Sequence, residues 1–359
     1  MAKLTRRTAL GALAGSLAMP SVARAQTTKW RMATSWPRNL PGPGVSAQRL
    51  AERIRVMSGG RLEIDVFPAG TIVPAFEVLD AVGGGSVEMG HTAAFYWRGK
   101  MPAAVFYTSV PFGLGPVDHT AWLEFGDGQA LWDELYRPFG VRAFAAGNTG
   151  PCMGGWFRNE IRSVADIKGL RIRVLGIGGD VFSRLGATPV SIPAAEIITS
   201  MQTGAIDAVE FLAPSSDLIT GVYKVAPLYY APGFNKPNGT GEGLVSIRAW
   251  EALPADLRAI VAEACRLEHA TALADAAWQN AQALATLIAV HGTRVVFFPD
   301  SLVDAARPIA RELIGEIGRT SPVAGRIVGS YNAMLERSRA WSGLSANMAA
   351  QLARGQARR

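Results

Sequence analysis

Apolar and polar residues alternate in two short stretches near the start of the chain, and a helical periodicity separates them. Residues 29–34 and 62–66 alternate, which predicts two strands. Residues 43–58 carry apolar side chains at helical spacing, and the predicted helix ends at Gly59. A second helix near 74–83 leads to a third strand over 87–91. This β-α-β-α-β order indicates an α/β fold with a mainly parallel sheet covered by helices.

A similar pattern recurs further along the chain. Residues 169–174 resemble residues 60–66, and residues 204–209 resemble residues 85–90. We interpret the recurrence as two lobes of similar α/β architecture. Coincidence is the alternative, because glycine commonly follows a helix and begins each of these segments.

One predicted helix is unusually long. Residues 254–291 contain no proline or glycine after Pro254 and are rich in alanine and leucine. A helix of this extent would measure roughly 57 Å at 1.5 Å per residue, so we expect it to span both lobes. Residues 299–345 predict further helices on the outside of the molecule.

The first 25 residues resemble an export signal. Lys3, Arg6 and Arg7 precede an apolar run over 8–19, and Ala23-Arg24-Ala25 fits a cleavage site. The paired arginines predict a twin-arginine signal; an amphipathic amino-terminal helix is the alternative. Cleavage would remove four of the 36 basic residues and lower the net charge from +7 to +3. Because no later apolar run has the length of a membrane span and no basic stripe is interleaved with aromatic residues, we expect neither a membrane anchor nor nucleic-acid binding.

Motifs of common enzymes are absent from the sequence. It contains no GxSxG elbow and no phosphate-binding GKS or GKT loop, and its four histidines are too far apart for a metal site. Gly176, Gly178 and Gly179 resemble only the start of a dinucleotide fingerprint, and a helix amino terminus facing any anion explains them equally well. The two cysteines, Cys152 and Cys265, can form a disulfide or remain buried thiols.

Aromatic residues follow several predicted strands. Trp36 follows the first strand, residues 95–97 (Phe95, Tyr96 and Trp97) follow the third, and Phe211 follows the strand near 209. Ligands of open α/β sheets bind beyond the carboxyl ends of the strands, so we predict an aromatic cleft between two facing lobes, with core packing as the alternative. Arg173 is the sharpest polar candidate. Near the end of its strand, its guanidinium can hold a carboxylate through paired hydrogen bonds, or it can form a surface salt bridge.

Five segments together resemble one known family. They are residues 91–97, 147–158, 168–174, 204–211 and 223–234. The chain resembles the substrate-binding proteins of tripartite ATP-independent periplasmic (TRAP) transporters, in the branch that binds 2-oxo acids and related monocarboxylates. The resemblance implies a two-lobed periplasmic binding protein that carries out no reaction, captures a small carboxylate by hinge closure and delivers it to membrane permease subunits.

The resemblance also assigns roles to individual residues. Arg173 would hold the ligand carboxylate, and Glu210 and Phe211 would lie beside a sodium or calcium ion. Other ligand contacts are expected from residues grouped around the cleft: Asn148, Phe95, Tyr96, Trp97, Trp36, Cys152, Phe211 and Phe234. Three positions depart from the branch, which has glutamine at 152, tryptophan at 211 and Trp-Trp-Glu at 234–236. A thiol suits hard cations poorly, and the ammonium of Lys236 is an alternative to the ion.

These inferences give a domain assignment. Lobe I would comprise residues 26–148 with about 237–270, lobe II would comprise residues 149–236 with about 271–345, and a solvated tail would follow over 346–359. The chain would cross between the lobes at 148–155 and at 232–241. We expect a periplasmic protein and a homodimer formed through 325–350. The alternative functions are an exported enzyme acting on a small carboxylate and a ligand-sensing domain of a signalling system.

Overall fold

The computed structural model describes residues 27–356 and contains two β-sheets with helices packed against them. The strands are β1 (Thr28–Thr34), β2 (Leu62–Phe67), β3 (Met89–Thr92), β4 (Val141–Asn148), β5 (Gly155–Phe157), β6 (Arg171–Arg173), β7 (Thr188–Val190), β8 (Ala208–Val209), β9 (Leu228–Ala231), β10 (Thr240–Ser246) and β11 (Arg294–Phe297). The helices are α1 (Pro43–Met57), α2 (Val78–Gly83), α3 (Pro116–Phe125), α4 (Gly128–Tyr136), α5 (Ile177–Arg184), α6 (Ile197–Gln202), α7 (Pro214–Thr220), α8 (Ile247–Ala252), α9 (Ala255–Ala289), α10 (Asp300–Gly318) and α11 (Pro322–Gln356).

The first sheet has the strand order β2-β1-β3-β10-β4. Its parallel strands come from the amino-terminal part of the chain, and β10 is antiparallel to both β3 and β4. The alternation of apolar and polar residues explains why β1 has one buried and one exposed face: Trp30 and Met32 are buried, whereas Lys29 and Arg31 are exposed. Pro43 starts α1 and a left-handed Gly59 follows its end, as the sequence predicts.

The second sheet has the strand order β11-β9-β5-β8-β6-β7. Strand β5 is antiparallel to β8 and β9, while the other neighbours run parallel. Each sheet therefore has a single antiparallel strand among parallel ones, and the prediction of an α/β fold with two mainly parallel sheets is confirmed.

The chain passes between the sheets by two adjacent connections. Residues 149–154 join β4 to β5, and residues 232–239 join β9 to β10. Thr149 N donates to Gly239 O at 3.0 Å, and Cys152 N donates to Lys236 O at 3.2 Å. A Cβ atom on Gly239 would lie 1.9 Å from Thr149 Oγ1, so the close approach of the two connections requires glycine there.

Helix α9 links the two halves on one side. Val261 and Cys265 pack with Trp30 and Met32 beside the first sheet, whereas Leu287 packs with residues of the second sheet. Its 35 residues correspond to a length of about 52 Å. The prediction of a long helix spanning both lobes is therefore confirmed.

The last helix differs from our assignment. The sequence assigns residues 271–345 to lobe II, but α11 packs against α3 and α4, beside the first sheet. Its Tyr331 ring lies against the rings of Phe106 and Trp122, and the Tyr331 hydroxyl accepts from Leu114 N. Apolar side chains buried on α11 explain this placement. Residues 346–356, expected to be tail, continue the helix.

Three further expectations concern the ends and the cysteines. The export signal over 1–25 lies outside the described residues. Among the described helices, none is both long enough and apolar enough to cross a bilayer. Cys152 and Cys265 are free, buried thiols, so no disulfide joins them.

Candidate functional site

A small cavity lies between the two sheets, beside the two connections. Its volume is about 40 Å³, and on the same measure one water needs roughly 10–15 Å³. Residues from both sheets line it: Trp36, Phe95, Tyr96, Asn148, Arg173, Phe211 and Lys236, together with Ser46, His91, Thr108, Thr149 and Thr240. The cavity has room for a ligand of a few heavy atoms.

Arg173 brings a buried positive charge to this cavity. It ends β6, and its relative exposure is 1%. Its Nε donates to Ile192 O at 3.0 Å and its Nη1 donates to Glu210 O at 2.7 Å. Among the described residues, no Asp or Glu carboxylate forms a salt bridge with it. Burial lowers the pKa of Arg173, and nearby Tyr96 and Glu210 act in the opposite direction. A buried cation held by carbonyl dipoles and lacking an acidic partner favours the binding of an anion.

Aromatic side chains enclose the space around Arg173. Its guanidinium carbon lies 5.5 Å from the centre of the Phe211 ring. Tyr96 packs against Trp36 and Phe95 with ring centres 5.9 Å and 4.8 Å apart. Burial raises the pKa of Tyr96 to about 12 and Arg173 opposes the shift, so the hydroxyl is a neutral donor. These apolar walls strengthen electrostatic contacts by excluding water.

His91 is held as a neutral ring at the same wall. Trp36 Nε1 donates to His91 Nδ1 at 2.8 Å, and the opposite ring nitrogen lies 3.0 Å from Ala146 O. Nδ1 accepts, so Nε2 carries the proton and donates to the carbonyl. Burial lowers the pKa of His91 to about 4. The ring therefore adds no charge to the cavity at neutral pH.

Asn148 joins the cavity to the connection between the sheets. Its Nδ2 donates to Asn238 Oδ1 at 3.0 Å, and its Oδ1 accepts from Gly150 N at 2.8 Å. The Asn238 side chain in turn donates to Thr108 O at 3.0 Å. Asn148 thus orders both connections at the point where they meet the cavity.

Lys236 and Glu210 form a buried ion pair. Lys236 Nζ lies 2.5 Å from Glu210 Oε1 and also donates to Phe211 O. Glu210 and Phe211 are the two residues that the resemblance assigns to a metal ion. Among residues 27–356, no three His, Cys, Asp or Glu side chains converge as a metal site. A sodium or calcium ion does not fit these oxygens while the ammonium occupies them.

Three of the predicted ligand residues lie away from the cavity lining. Trp97 is buried in the core, where its Nε1 donates to Glu242 Oε1 at 2.5 Å. Phe234 stacks on Phe112 with ring centres 5.2 Å apart. Cys152 lies behind the lining, with its Sγ 3.6 Å from Thr149 Oγ1. Trp97 and Phe234 bury their rings among apolar side chains. For Trp97, core packing is the alternative that the sequence leaves open.

Several residues that line the cavity have no motif of their own. Ser46 lies on α1, Thr108 follows a 3-10 helix (Pro102–Tyr107), and Thr240 starts β10. Each is a common small polar residue in a segment far from Arg173 in sequence, so only the fold brings it to the site. Lys236, in contrast, could be recognised as unusual from the sequence, because it departs from the Trp-Trp-Glu pattern of the branch.

The chain matches one protein family over most of its length. The model for bacterial extracellular solute-binding proteins, family 7 (DctP), matches residues 32–319. A monocarboxylate 2-oxoacid-binding periplasmic protein of Nostoc sp. strain PCC 7120 is 40% identical over 314 residues, which cover 88% of this chain and 86% of the relative.

Solved structures of TRAP transporter solute-binding proteins share the fold. One from Bordetella bronchiseptica RB50, a mixed-occupancy dimer with calcium and picolinate, has a TM-score of 0.88 at 37% identity and covers 92% of this chain and 99% of its own. One from Pseudoalteromonas atlantica T6c, with sodium and pyruvate, has a TM-score of 0.88 at 34% identity and covers 91% and 99%. Relatives thus hold an ion together with a carboxylate, as we expected for this family.

These similarities identify the class of protein. The family consists of binding proteins and not of enzymes, and neither the exported-enzyme nor the sensor-domain alternative is supported. The two-sheet fold, the cavity between the sheets and the buried Arg173 agree with that class. The chain belongs to family 7 of the bacterial extracellular solute-binding proteins, the DctP family of TRAP transporter solute-binding proteins.

Proposed function

We propose that this protein captures a small monocarboxylate of the 2-oxo acid class in the periplasm and delivers it to TRAP permease subunits. The observation that carries the proposal is Arg173, a buried guanidinium that lines the cavity and has no carboxylate partner within residues 27–356. A ligand carboxylate would supply the missing negative charge and accept paired hydrogen bonds.

The size of the cavity supports a small ligand. Its volume of about 40 Å³ is larger than one or two water molecules need, but it leaves little room for a sugar acid. Relatives at 34% and 37% identity hold pyruvate and picolinate, which are small monocarboxylates. Phe95, Tyr96 and Phe211 would cover the apolar part of such a ligand.

The two connections suggest how capture occurs. Residues 149–154 and 232–239 join the sheets side by side, so small backbone rotations there would separate the cavity walls. Opening would admit the acid, and closure would bury it against Arg173 and exclude water. Beside Phe95 and Tyr96, in a neighbouring pocket, Arg98 forms an ion pair with Asp180 of α5 and donates to Gly176 O at 3.2 Å, which would hold the two halves together on closure.

The cellular setting is part of the proposal. Cleavage and export through the signal over 1–25 would place the protein in the periplasm, where it would dock on the permease. A homodimer through 325–350 agrees with the exposed Trp341 and Leu344 on α11 and with the dimer of the Bordetella bronchiseptica relative.

Calorimetry with small carboxylates tests the ligand class. We expect saturable binding of pyruvate, 2-oxobutyrate or picolinate and weaker binding of succinate. Mass spectrometry of acid released from the purified, denatured protein identifies the natural ligand. Absence of saturable binding to any monocarboxylate, with circular dichroism showing a folded protein, would overturn the proposal.

A further inference from the structure

Lys236 places an ammonium beside Glu210 and Phe211, the two residues that the resemblance assigns to a metal ion. Its ammonium contacts two oxygens at the end of β8, the Glu210 carboxylate at 2.5 Å and the Phe211 carbonyl. The side chain is 6% exposed, and that of Glu210 is 1% exposed. On its other side the ammonium lies 5.7 Å from the centre of the Phe95 ring, which lines the cavity. Lys236 is therefore a buried cation at the cavity wall.

These contacts compete with a metal ion. Calcium binds oxygens at about 2.3–2.6 Å and needs six or more of them. An ammonium already lies at that distance from the Glu210 carboxylate, so an added ion would meet strong repulsion in a water-poor site. The carboxylate of Glu210 has no other side-chain partner among the described residues.

The position of Cys152 gives independent support. In this branch a glutamine oxygen at position 152 would contact both metal and ligand, but this chain supplies a thiol. Its sulfur contacts Thr149 and the Gly150 carbonyl. A soft thiol is a poor ligand for the hard cations sodium and calcium.

We propose that Lys236 replaces the metal ion of its relatives, so that this chain binds its carboxylate without sodium or calcium. This inference rests on the proposed function, because it names the second cation of the same site. The ammonium donates to Phe211 O and pairs with the Glu210 carboxylate, and because Lys236 also lines the cavity, it would contact the ligand there.

The two cations also restrict the class of ligand that the cavity can bind. Arg173 donates to the carbonyl of Glu210 and Lys236 donates to the carbonyl of Phe211, and both side chains line the cavity. Arg173 would hold the ligand carboxylate, and Lys236 would donate to an acceptor oxygen on the adjacent carbon, as in a 2-oxo acid. The formal charges of Arg173, Lys236 and Glu210 sum to +1, which one monoanion neutralises.

The first experiment measures metal dependence with pyruvate as the probe. Wild-type protein is treated with EDTA, transferred to a buffer in which choline replaces sodium, and titrated with pyruvate with and without added CaCl2 or NaCl. We expect Kd values that agree within about twofold. Elemental analysis of the purified protein and a CaCl2 titration without pyruvate are expected to show no stoichiometric calcium.

The second experiment tests Lys236 itself. Loss of one charge-assisted hydrogen bond predicts that Lys236→Met raises the Kd for pyruvate about 10- to 100-fold. Because this variant leaves Glu210 buried and unpaired, the double variant Glu210→Gln/Lys236→Met provides a neutral pair and is expected to bind as weakly while remaining folded. Lys224→Met changes an exposed lysine outside the cavity and is expected to bind like wild type.

The outcomes separate this inference from the proposed function. A tenfold or greater loss of affinity in EDTA that calcium or sodium restores, stoichiometric bound calcium, or wild-type affinity in the double variant would overturn the role of Lys236. Failure of every monocarboxylate to bind the folded wild type would instead overturn the proposed function, and the CaCl2 titration would still decide whether Lys236 excludes a metal.

Discussion

Replacing Arg173 with methionine removes the charge on which the proposed ligand depends while keeping an apolar side chain of similar length. A paired contact with a carboxylate contains two charge-assisted hydrogen bonds, each contributing about 1.5–3 kcal/mol. A loss of at least about 3 kcal/mol corresponds to a Kd that rises more than 100-fold. Calorimetry with pyruvate measures this change directly.

The same substitution has a different effect on the free protein. It leaves the carbonyls of Ile192 and Glu210 without their donor, but it also removes a buried cation that forms no salt bridge in the part of the chain that the structure describes. Since these effects oppose each other, we expect the stability of the ligand-free variant to change by less than about 2 kcal/mol. Thermal unfolding without ligand provides the check on folding.

Ligand-induced stabilisation gives a second measurement. At a pyruvate concentration of 100 times the wild-type Kd, binding stabilises the wild type by about 2.7 kcal/mol. For a variant whose Kd is 100-fold higher, the same concentration gives only about 0.4 kcal/mol. The shift in Tm on adding pyruvate should therefore nearly disappear.

Arg171→Met is the matched control. Arg171 lies on the same strand, is exposed, and pairs with Asp207 at 2.6 Å. Exposed pairs of this kind contribute about 0–1 kcal/mol to stability, and Arg171 does not line the cavity. If Arg173→Met kept its Kd within about threefold of wild type, or if both variants lost affinity equally, the assignment of the carboxylate to Arg173 would be refuted.

Three other predictions address closure, pH and the thiols. Arg98→Ala removes the ion pair with Asp180 between the two halves, in the pocket beside Phe95 and Tyr96. Because the pair is partly exposed, we expect pyruvate to dissociate about two- to fivefold faster in stopped-flow measurements, and an unchanged rate would argue against a role in closure. Burial raises the pKa of Glu242 from 4.5 to about 8, so its contribution to stability is present below pH 4.5 and is lost as the pH rises through 8. Urea unfolding should therefore show Glu242→Gln gaining stability relative to wild type between pH 5 and pH 8, and a constant difference would contradict a protonated Glu242. Burial also raises the pKa of both Cys152 and Cys265, so we expect no reaction with a thiol reagent at pH 8 until urea exposes two thiols per chain; rapid labelling of folded protein would contradict their burial.

Local patterns were sufficient for much of the fold. The alternation of Trp30 and Met32 predicted β1, and the long stretch without glycine or proline predicted α9. The placement of α11 was not accessible in the same way. Tyr331 is buried because it contacts Phe106 and Trp122, which lie about 200 positions earlier in the chain, and no local periodicity reports such a contact.

The site shows the same limit at the level of single side chains. Tyr96 and Trp97 are adjacent and aromatic, but both lie in a 3-10 helix (Ala94–Trp97), where successive side chains point in different directions. Tyr96 lines the cavity, whereas Trp97 donates a hydrogen bond to the Glu242 carboxylate in the core. The sequence indicates an aromatic cluster there; the partner on another strand determines which ring reaches the cavity.

The central position of β10 has a consequence for assembly of the chain during synthesis. This strand fills the gap between β3 and β4, yet it is made only after every strand of the second sheet except β11. Until residue 246 has left the ribosome, no strand lies between β3 and β4 to form hydrogen bonds with them. The amino-terminal half therefore cannot complete its sheet alone. Neither half can therefore be produced from one uninterrupted gene fragment, and a nascent chain must keep its first 148 residues from aggregating until the late strand arrives.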